Sequence, residues 1–454
     1  MKDNYLFDNK YLIKLLWPLF IEQLLIFAIG ITDSVMVASV GEEAVSAVSL
    51  VDSVMILIIT IMGAMATGGA VIVGRFLGQR NKEMAIRAAD QLIIFIFTLA
   101  LVIMGLMYVF RKAILQLMFG DIDPLMMDYC NTYYLIMVAS IPFLALYSAC
   151  SAMFRSTGNS KISMKIGILM NAINIPGNYV LLHVFHMGVE GVAFPTLTAR
   201  IVAAVVILLA LRNRNLPVHI SRPFRPHPDF SIIRKITGIG IPNGIENSMF
   251  QIGKLVLLSF ISTMGTSAIT ANAVANVIAS ITLIPGFAVG MSLISVISQC
   301  VGAGDNEQVR FYTKKLMKWA YIIMFIAYGI SVLAIPAITF VYGLSVETAE
   351  TTAQLILICA AFGIFFWPTS FALPNMLRAA GDVIFTMVVG IVSMCVFRIA
   401  MAILLGGFLG MGVVGVWLAM VADWIVRTLL FVIRYRRGKW IEKANLDSMK
   451  GENK

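Results

Sequence analysis

Apolar residues occupy most of the chain in long runs, and short polar stretches separate these runs at regular intervals. A helical run of about 20 apolar residues is long enough to cross a hydrocarbon core of roughly 30 Å. The runs that meet this length predict twelve membrane-spanning helices near residues 14–38, 47–74, 91–110, 129–153, 166–186, 190–211, 236–263, 271–301, 319–341, 353–375, 384–406 and 413–433. The predicted fold class is therefore an all-α integral membrane protein.

The second half of the sequence repeats the first half at a nearly constant offset. The offset that takes Pro18 to Pro242 also takes Glu22 to Glu246. Because each half contains an even number of predicted spans, both halves enter the membrane from the same side, and the two repeats are parallel rather than inverted.

This repeat predicts the organisation of the chain. The first six spans form an N-lobe at residues 1–211, and the last six form a C-lobe at residues 236–433. The polar, proline-containing segment 212–235 is the linker between them, and residues 434–454 are a tail.

The positive charges predict the orientation in the membrane. With this topology, 28 of the 34 Lys and Arg residues lie on one side, which predicts that both termini, the linker and the tail are cytoplasmic. The net charge of +10 is mostly this bias, and no cationic face with interleaved aromatic residues indicates nucleic-acid binding. The segment after the third span, with Arg111, Asp121 and Asp123, is expected to be a solvated loop.

The composition excludes several other classes. Hydrophobic residues make up 59% of the chain, charged residues 13%, and the mean hydropathy is +0.90, values far from those of soluble domains. The five cysteines stand singly, so we expect neither a disulfide framework nor a metal centre. Because no phosphate-binding loop and no nucleophile–base constellation stand out, we expect no enzyme activity and no organic cofactor.

Two pairs of motifs recur at the repeat spacing. The loops GRFLGQRNKEMAIRAA (74–89) and SQCVGAGDNEQVRFYT (298–313) form one pair, and MFRSTGN (153–159) and MLRAAGD (376–382) form the other. Over nearly its whole length the chain resembles the multidrug and toxic compound extrusion (MATE) family of cation-coupled efflux transporters. The resemblance implies two six-helix lobes that form a V, in a bacterial cytoplasmic membrane.

Polar groups inside the predicted spans are the candidate functional residues, because burying them in a membrane is costly. Glu22 and Asp33 lie about three helical turns apart on the first span and therefore share one helical face. On the fifth span, Asn171, Asn174 and Asn178 project from one stripe.

The sixth span adds the hydroxyl of Thr196 close to its beginning. A single carboxylate among neutral oxygens suits a monovalent cation, whereas divalent cations normally recruit more carboxylates.

The resemblance assigns a cation site to these positions. In the DinF-like branch of the family, such a site is formed by an Asp on the first helix, an Asn and an Asp on the fifth, and a Thr on the sixth. By motif these positions are Asp33, Asn174, Asn178 and Thr196 here. Because Asn178 replaces the second acid, we expect weaker Na⁺ binding and Asp33 as the main titratable group.

The C-lobe is expected to have a different polar interior. The NorM-like branch of the family places acidic residues on the seventh and tenth helices, but the matching seventh-helix residue here is Gln251, and span 353–375 contains no carboxylate. The candidate substrate-contacting residues, including one on the first span, are Glu22, Glu246, Asn247, Gln251, Lys254 and Arg398. Alternatively, Glu22 and Glu246 are structural, and Lys254 and Arg398 neutralise Glu246 and a helix C-terminus.

The resemblance therefore implies an antiporter that exports small amphipathic organic compounds or drugs across the lipid bilayer, driven by Na⁺ or H⁺. We expect a monomer. The alternative is a lipid or lipid-linked oligosaccharide flippase, which would be expected to line its cavity with more cationic residues. A membrane-embedded enzyme or receptor would not obviously need the duplication.

Overall fold

The computed structural model describes residues 5–120, 122–221 and 227–452, and every regular element within these ranges is a helix. The predicted all-α class is confirmed. The chain divides into two compact units, which we call the first unit (residues 9–244) and the second unit (residues 245–452 with residues 5–8).

The helices of the first half follow one another with short connections. They are α1 (Asn9–Val37), α2 (Glu42–Gly78), α3 (Lys82–Val109), α4 (Arg111–Phe119), α5 (Pro124–Ala139), α6 (Ile141–Ser156), α7 (Ser160–Tyr179) and α8 (Glu190–Leu211). A π-helical turn, Val180–Val184, extends α7.

The second half has a matching order of helices. They are α9 (Phe230–Ser262), α10 (Thr266–Gly302), α11 (Asn306–Leu333), α12 (Ile335–Val341), α13 (Val346–Trp367), α14 (Leu373–Ala379), α15 (Val383–Val392), α16 (Gly412–Arg436) and α17 (Lys439–Glu452). The π-helical segment Pro368–Ala372 joins α13 to α14, and Ser393–Ala400 and Ile403–Phe408 continue α15.

The bounds of the helices carry the same repeat as the sequence. The offset that takes Pro18 to Pro242 also takes both ends of α2 to the ends of α10, and both ends of α3 to the ends of α11. Gly41 and Gly265, the residues just before α2 and α10, both have positive φ angles, of 144° and 97°. The duplicated sequence therefore encodes a duplicated backbone, including the turns that glycine permits.

Most of the twelve predicted spans correspond to helices that are long and apolar enough to cross a membrane. Among the residues that the structure describes, nine helical stretches meet both criteria, and α5 with α6, bent by 44°, makes a tenth. The remaining expected spans, the fifth and the seventh, lie on α7 and α9. Amide and charged side chains interrupt the apolar sequence of both helices.

Two predicted boundaries are wrong. Residues 111–119, expected in a solvated loop, form α4, while Asp121 lies outside the described residues. The ninth span, expected at 319–341, is instead α11, which begins at Asn306 and ends at Leu333. The chain then turns into α12, which has a proline in its first turn. Apolar composition alone does not reveal this break.

Close helix contacts in the first unit depend on small residues. A Cβ atom on Gly68 of α2 would lie 2.5 Å from the carbonyl oxygen of Ile236 and 2.9 Å from the nitrogen of Gly240, both on α9. In the same way, a Cβ atom on Gly177 of α7 would lie 2.8 Å from the Cβ atom of Pro195 on α8. Small residues let membrane helices approach closely, and the second contact brings the polar stripes of α7 and α8 together.

Candidate cation and substrate sites

The buried carboxylate of Asp33 on α1 is held by α7. The Asn178 side-chain amide donates a hydrogen bond to Asp33 Oδ1 over 2.6 Å. Asp33 is 9% exposed and Asn178 is fully buried. The contact therefore places the carboxylate against a neutral amide, away from bulk water.

The polar contacts continue from Asn178 to α8. The Asn178 amide also lies 3.5 Å from Asn174 Oδ1, and the Asn174 amide donates to Thr196 Oγ1 over 2.9 Å. Thr196 in turn donates to the carbonyl oxygen of Val192 over 3.0 Å. The structure thus brings together the four side chains expected at the cation site, because residues four apart on α7 share a face.

The donor set fits a monovalent cation. Asn178 Oδ1 is a buried acceptor without a hydrogen-bond partner among the described residues, and its side chain contacts the Asp33 carboxylate through the amide nitrogen. Oxygen atoms of carboxylate, amide and hydroxyl groups are the ligands that hard cations prefer. Asn171, the third amide of the stripe, instead donates to the carbonyl oxygens of Leu25 and Gly167.

Sequence reasoning missed a second carboxylate next to this site. Asp52 on α2 accepts a hydrogen bond from the Tyr133 hydroxyl over 3.2 Å. The buried guanidinium of Arg200 on α8 interacts electrostatically with both Asp33 and Asp52, and it donates to Ser140 Oγ over 2.6 Å. The available signal was an acid within the apolar run 47–74.

Glu22 and Glu246, which correspond in the repeat, have equivalent partners. Arg155 Nη1 lies 3.2 Å from Glu22 Oε1, and Arg378 Nη2 lies 2.8 Å from Glu246 Oε1. Both arginines come from the repeated motif, MFRSTGN (153–159) in the first half and MLRAAGD (376–382) in the second. The structure therefore pairs each glutamate with an arginine of its own half of the repeat.

A polar cluster lies inside the second unit. Arg427 Nε donates to Asp423 Oδ1 and to Ser393 Oγ, both over 2.8 Å, and Arg427 Nη2 donates to the carbonyl oxygen of Gly390 over 3.0 Å. Ser393 also donates to Asp423. Sequence reasoning missed Asp423 and Arg427, although an acid and a base four residues apart in an apolar span were a visible signal.

Arg398 does not pair with Glu246, which was one of the alternatives for this residue. Arg398 Nη1 lies 3.4 Å from Asp423 Oδ2, whereas the partner of Glu246 is Arg378. Lys254 is exposed on α9 and likewise makes no ion pair with Glu246 within the part of the chain that the structure describes. The pairing depends on which helices are neighbours, and spacing along one helix does not give that.

The other two C-lobe candidates, Asn247 and Gln251, lie on α9 with half-buried side chains. Gln251 is next to Phe250, whose ring faces the Arg398 guanidinium at 5.1 Å and that of Arg427 at 5.5 Å.

A duplicated, all-helical bundle with polar groups buried inside apolar spans is typical of membrane transporters. Residues 18–180 and 242–404 match the MatE family, and the second of these segments follows the first at the same offset as the sequence repeat. The chain belongs to the MatE family of transporters.

Relatives along the full length agree with this assignment. The transporter YisQ of Bacillus subtilis, which is uncharacterised, is 31% identical over 441 residues, covering 95% of each chain. The probable multidrug resistance protein NorM of Thermotoga maritima is 23% identical over 444 residues, covering 96% of this chain and 94% of that protein.

The fold is also that of solved MATE structures. A crystal structure of MATE in the bent conformation matches with a TM-score of 0.87 and 19% identity, over 97% of both chains. A multidrug resistance MATE family transporter of the MOP superfamily, in an outward-facing conformation, matches with a TM-score of 0.87 and 20% identity, over 96% of both chains.

Proposed function

We propose that this protein is a secondary active antiporter that exports small amphipathic organic compounds, driven by the inward movement of Na⁺ or H⁺. The observation that carries the proposal is the buried network of Asp33, Asn178, Asn174 and Thr196. The relatives named as multidrug resistance proteins support export of such compounds.

The cation binds at the Asp33 carboxylate in this proposal. A proton neutralises Asp33 directly, while Na⁺ is held by Asp33 together with the buried Oδ1 of Asn178. Either cation neutralises the buried carboxylate of Asp33 and changes the hydrogen bonds between α1, α7 and α8. A cation that binds one conformation about 100-fold better than the other shifts their equilibrium by roughly 2.7 kcal/mol.

The protein acts in the cytoplasmic membrane of a bacterium as a monomer, with both termini in the cytoplasm. The N-lobe, residues 1–211, couples to the cation, and the C-lobe, residues 236–433, has the differently charged interior. Segment 212–235 links them and residues 434–454 form the tail. Transport of this kind involves no enzyme chemistry and no organic cofactor.

The test is dye transport by purified protein in liposomes, with a pH gradient and a Na⁺ gradient imposed separately. We expect one of the two gradients to drive transport by the wild type, and Asp33→Asn to lose that drive. Asp128→Asn removes an exposed carboxylate of α5 and is the matched control. Full gradient-driven transport by Asp33→Asn would overturn the proposed coupling site.

A further inference from the structure

Positive charge exceeds negative charge around Phe250 in the second unit. The Asp423 carboxylate is shared by two guanidinium groups, those of Arg427 at 2.8 Å and Arg398 at 3.4 Å. Lys254 adds a third positive charge, which interacts electrostatically with Arg398. One buried carboxylate therefore pairs with two cationic side chains, and a third positive charge lies next to one of them.

The acid on the same helix does not restore the balance. Glu246 lies two turns before Lys254 on α9, but its Oε1 is bound by Arg378 at 2.8 Å. Like charges that face each other inside a membrane protein are unfavourable unless an anion lies between them. The local charge thus favours a negatively charged ligand.

The cationic groups also have donors to spare. Arg427 has acceptors in Asp423, Ser393 and the carbonyl of Gly390. In contrast, Arg398 Nε is buried without an acceptor in the part of the chain that the structure describes. Lys254 is an exposed residue, and among the described residues it makes no ion pair with Glu246.

An aromatic surface lies beside these donors. Phe250 is one helical turn before Lys254 on α9, and its ring is 5.1 Å from the Arg398 guanidinium. Phe371, in edge-to-face contact with Phe250 at 5.8 Å, extends the surface. A flat apolar group next to a carboxylate or phosphate fits such an arrangement, because the ring contacts aromatic side chains while the anion meets the cations.

We propose that Lys254 and Arg398 bind the anionic group, a carboxylate or phosphate, of an amphipathic organic substrate whose apolar part lies on Phe250. This inference rests on the proposed export function for its physiological meaning and narrows the substrate class to organic anions and zwitterions. The binding step does not require the cation site at Asp33.

The experiment compares two dyes that share a xanthene ring but differ in charge. Fluorescein is anionic and rhodamine 6G is cationic, and their binding to the purified full-length protein in phosphatidylcholine nanodiscs is measured by fluorescence anisotropy. We expect Lys254→Gln to weaken fluorescein binding about tenfold, the loss of one charge-assisted hydrogen bond. Rhodamine 6G binding stays the same or tightens, and Lys254→Arg retains fluorescein binding.

Lys318→Gln is the matched control, since it removes an exposed positive charge from α11 in the same unit. An equal loss for both dyes in Lys254→Gln, or no loss for fluorescein, would overturn the proposal. Arg398→Lys, which keeps a positive charge beside Asp423, is expected to weaken fluorescein binding without unfolding the protein. Gradient-driven transport by Asp33→Asn tests the coupling site separately from dye binding, so failure of the coupling site and failure of the anion site give different results.

The same anionic chemistry can come from a lipid headgroup. Nanodiscs that contain phosphatidylglycerol separate the two sources. If soluble organic anions occupy the site, fluorescein binds equally in both lipid compositions; if a lipid phosphate occupies it, phosphatidylglycerol competes in the wild type and not in Lys254→Gln. Phosphatidylglycerol competition that is identical in the wild type and in Lys254→Gln would contradict binding at Lys254.

Discussion

Asn178 donates its side-chain amide to the Asp33 carboxylate over 2.6 Å, and the same amide lies 3.5 Å from Asn174 Oδ1. A donor therefore stands where the resemblance implies a second carboxylate. This hydrogen bond stabilises one oxygen of the Asp33 carboxylate when no cation is bound. The free energy gained by binding a cation at this oxygen is therefore smaller.

Replacing Asn178 by aspartate should tighten cation binding. The variant puts two carboxylates within hydrogen-bond distance, and a cation or a proton must then separate their charges. We expect Asn178→Asp to lower the Na⁺ concentration for half-maximal thermal stabilisation about tenfold, relative to choline chloride, since an added charge at this range contributes on the order of 1–2 kcal/mol.

Asn171→Asp is the control for this prediction, because it adds the same charge to the same stripe of α7 but beside the Leu25 and Gly167 carbonyl groups. Its Na⁺ dependence should remain that of the wild type. Equal Na⁺ dependence in Asn178→Asp and the wild type would mean that this pair does not contact the coupling ion.

The geometry around Asp33 could be predicted in large part from the sequence. Helical periodicity placed Asn174 and Asn178 on one face, and the family motif selected Asp33 and Thr196 as their partners. Both signals are local, or are carried by repeated motifs. The same is true of the duplicated fold, because hydropathy and a fixed offset are properties of the chain itself.

Partners on helices that are distant along the chain could not be predicted in the same way. Glu246 and Lys254 share α9, and neutralisation of Glu246 by Lys254 or Arg398 was one alternative for these residues. The structure pairs Glu246 with Arg378 and leaves Lys254 beside Arg398. Such choices depend on the packing of three or more helices, which no spacing within one helix encodes.

Asp52 is expected to tune the affinity of the cation site. Its carboxylate interacts electrostatically with both Asp33 and Arg200, so Asp52→Asn leaves the positive charge of Arg200 less compensated near Asp33. A cation near Asp33 is then less favourable by about 1 kcal/mol, which predicts roughly fivefold weaker binding.

Half-maximal cation concentrations for dye transport in liposomes measure this effect. Tyr133→Phe removes only the hydrogen bond to Asp52 and should produce a smaller change in the same direction. Tighter cation binding in Asp52→Asn would contradict this prediction. It would mean that Asp52 repels the Asp33 carboxylate more than it compensates the positive charge of Arg200.

The paired glutamates predict a double-mutant cycle. Glu246 and Arg378 are almost completely buried, and their paired atoms are 2.8 Å apart. Removing either partner therefore leaves a buried charge without its counter-charge. We expect Glu246→Gln or Arg378→Gln alone to lower the free energy of unfolding by about 3–5 kcal/mol. The double variant should lose less than the sum of the single variants.

Thermal or denaturant unfolding in detergent micelles provides these values. The cycle at Glu22 and Arg155 is the internal comparison, because this pair is longer at 3.2 Å and Arg155 is more exposed than Arg378. Its coupling energy should have the same sign and a smaller size. Additive losses at both pairs would mean that neither ion pair holds its half of the repeat together.

Two nearby glycines on α2 should respond oppositely to alanine. At Gly68 a Cβ would lie 2.5 Å from the Ile236 carbonyl oxygen and 2.9 Å from the Gly240 nitrogen, so α9 must move away from α2. We expect Gly68→Ala to destabilise the protein by about 1–3 kcal/mol, the usual range for overpacking.

At Gly63 a Cβ would meet no atom within 4 Å, so only the helix propensity changes. Gly63→Ala should therefore stabilise the protein by about 0.5–1 kcal/mol. Unfolding in detergent measures both variants against the wild type. The two variants make the same chemical change on the same helix. A loss of stability in both would indicate that α2 requires flexible glycine backbone. A loss in Gly68→Ala with a gain in Gly63→Ala would show that only the contact between Gly68 and α9 requires glycine.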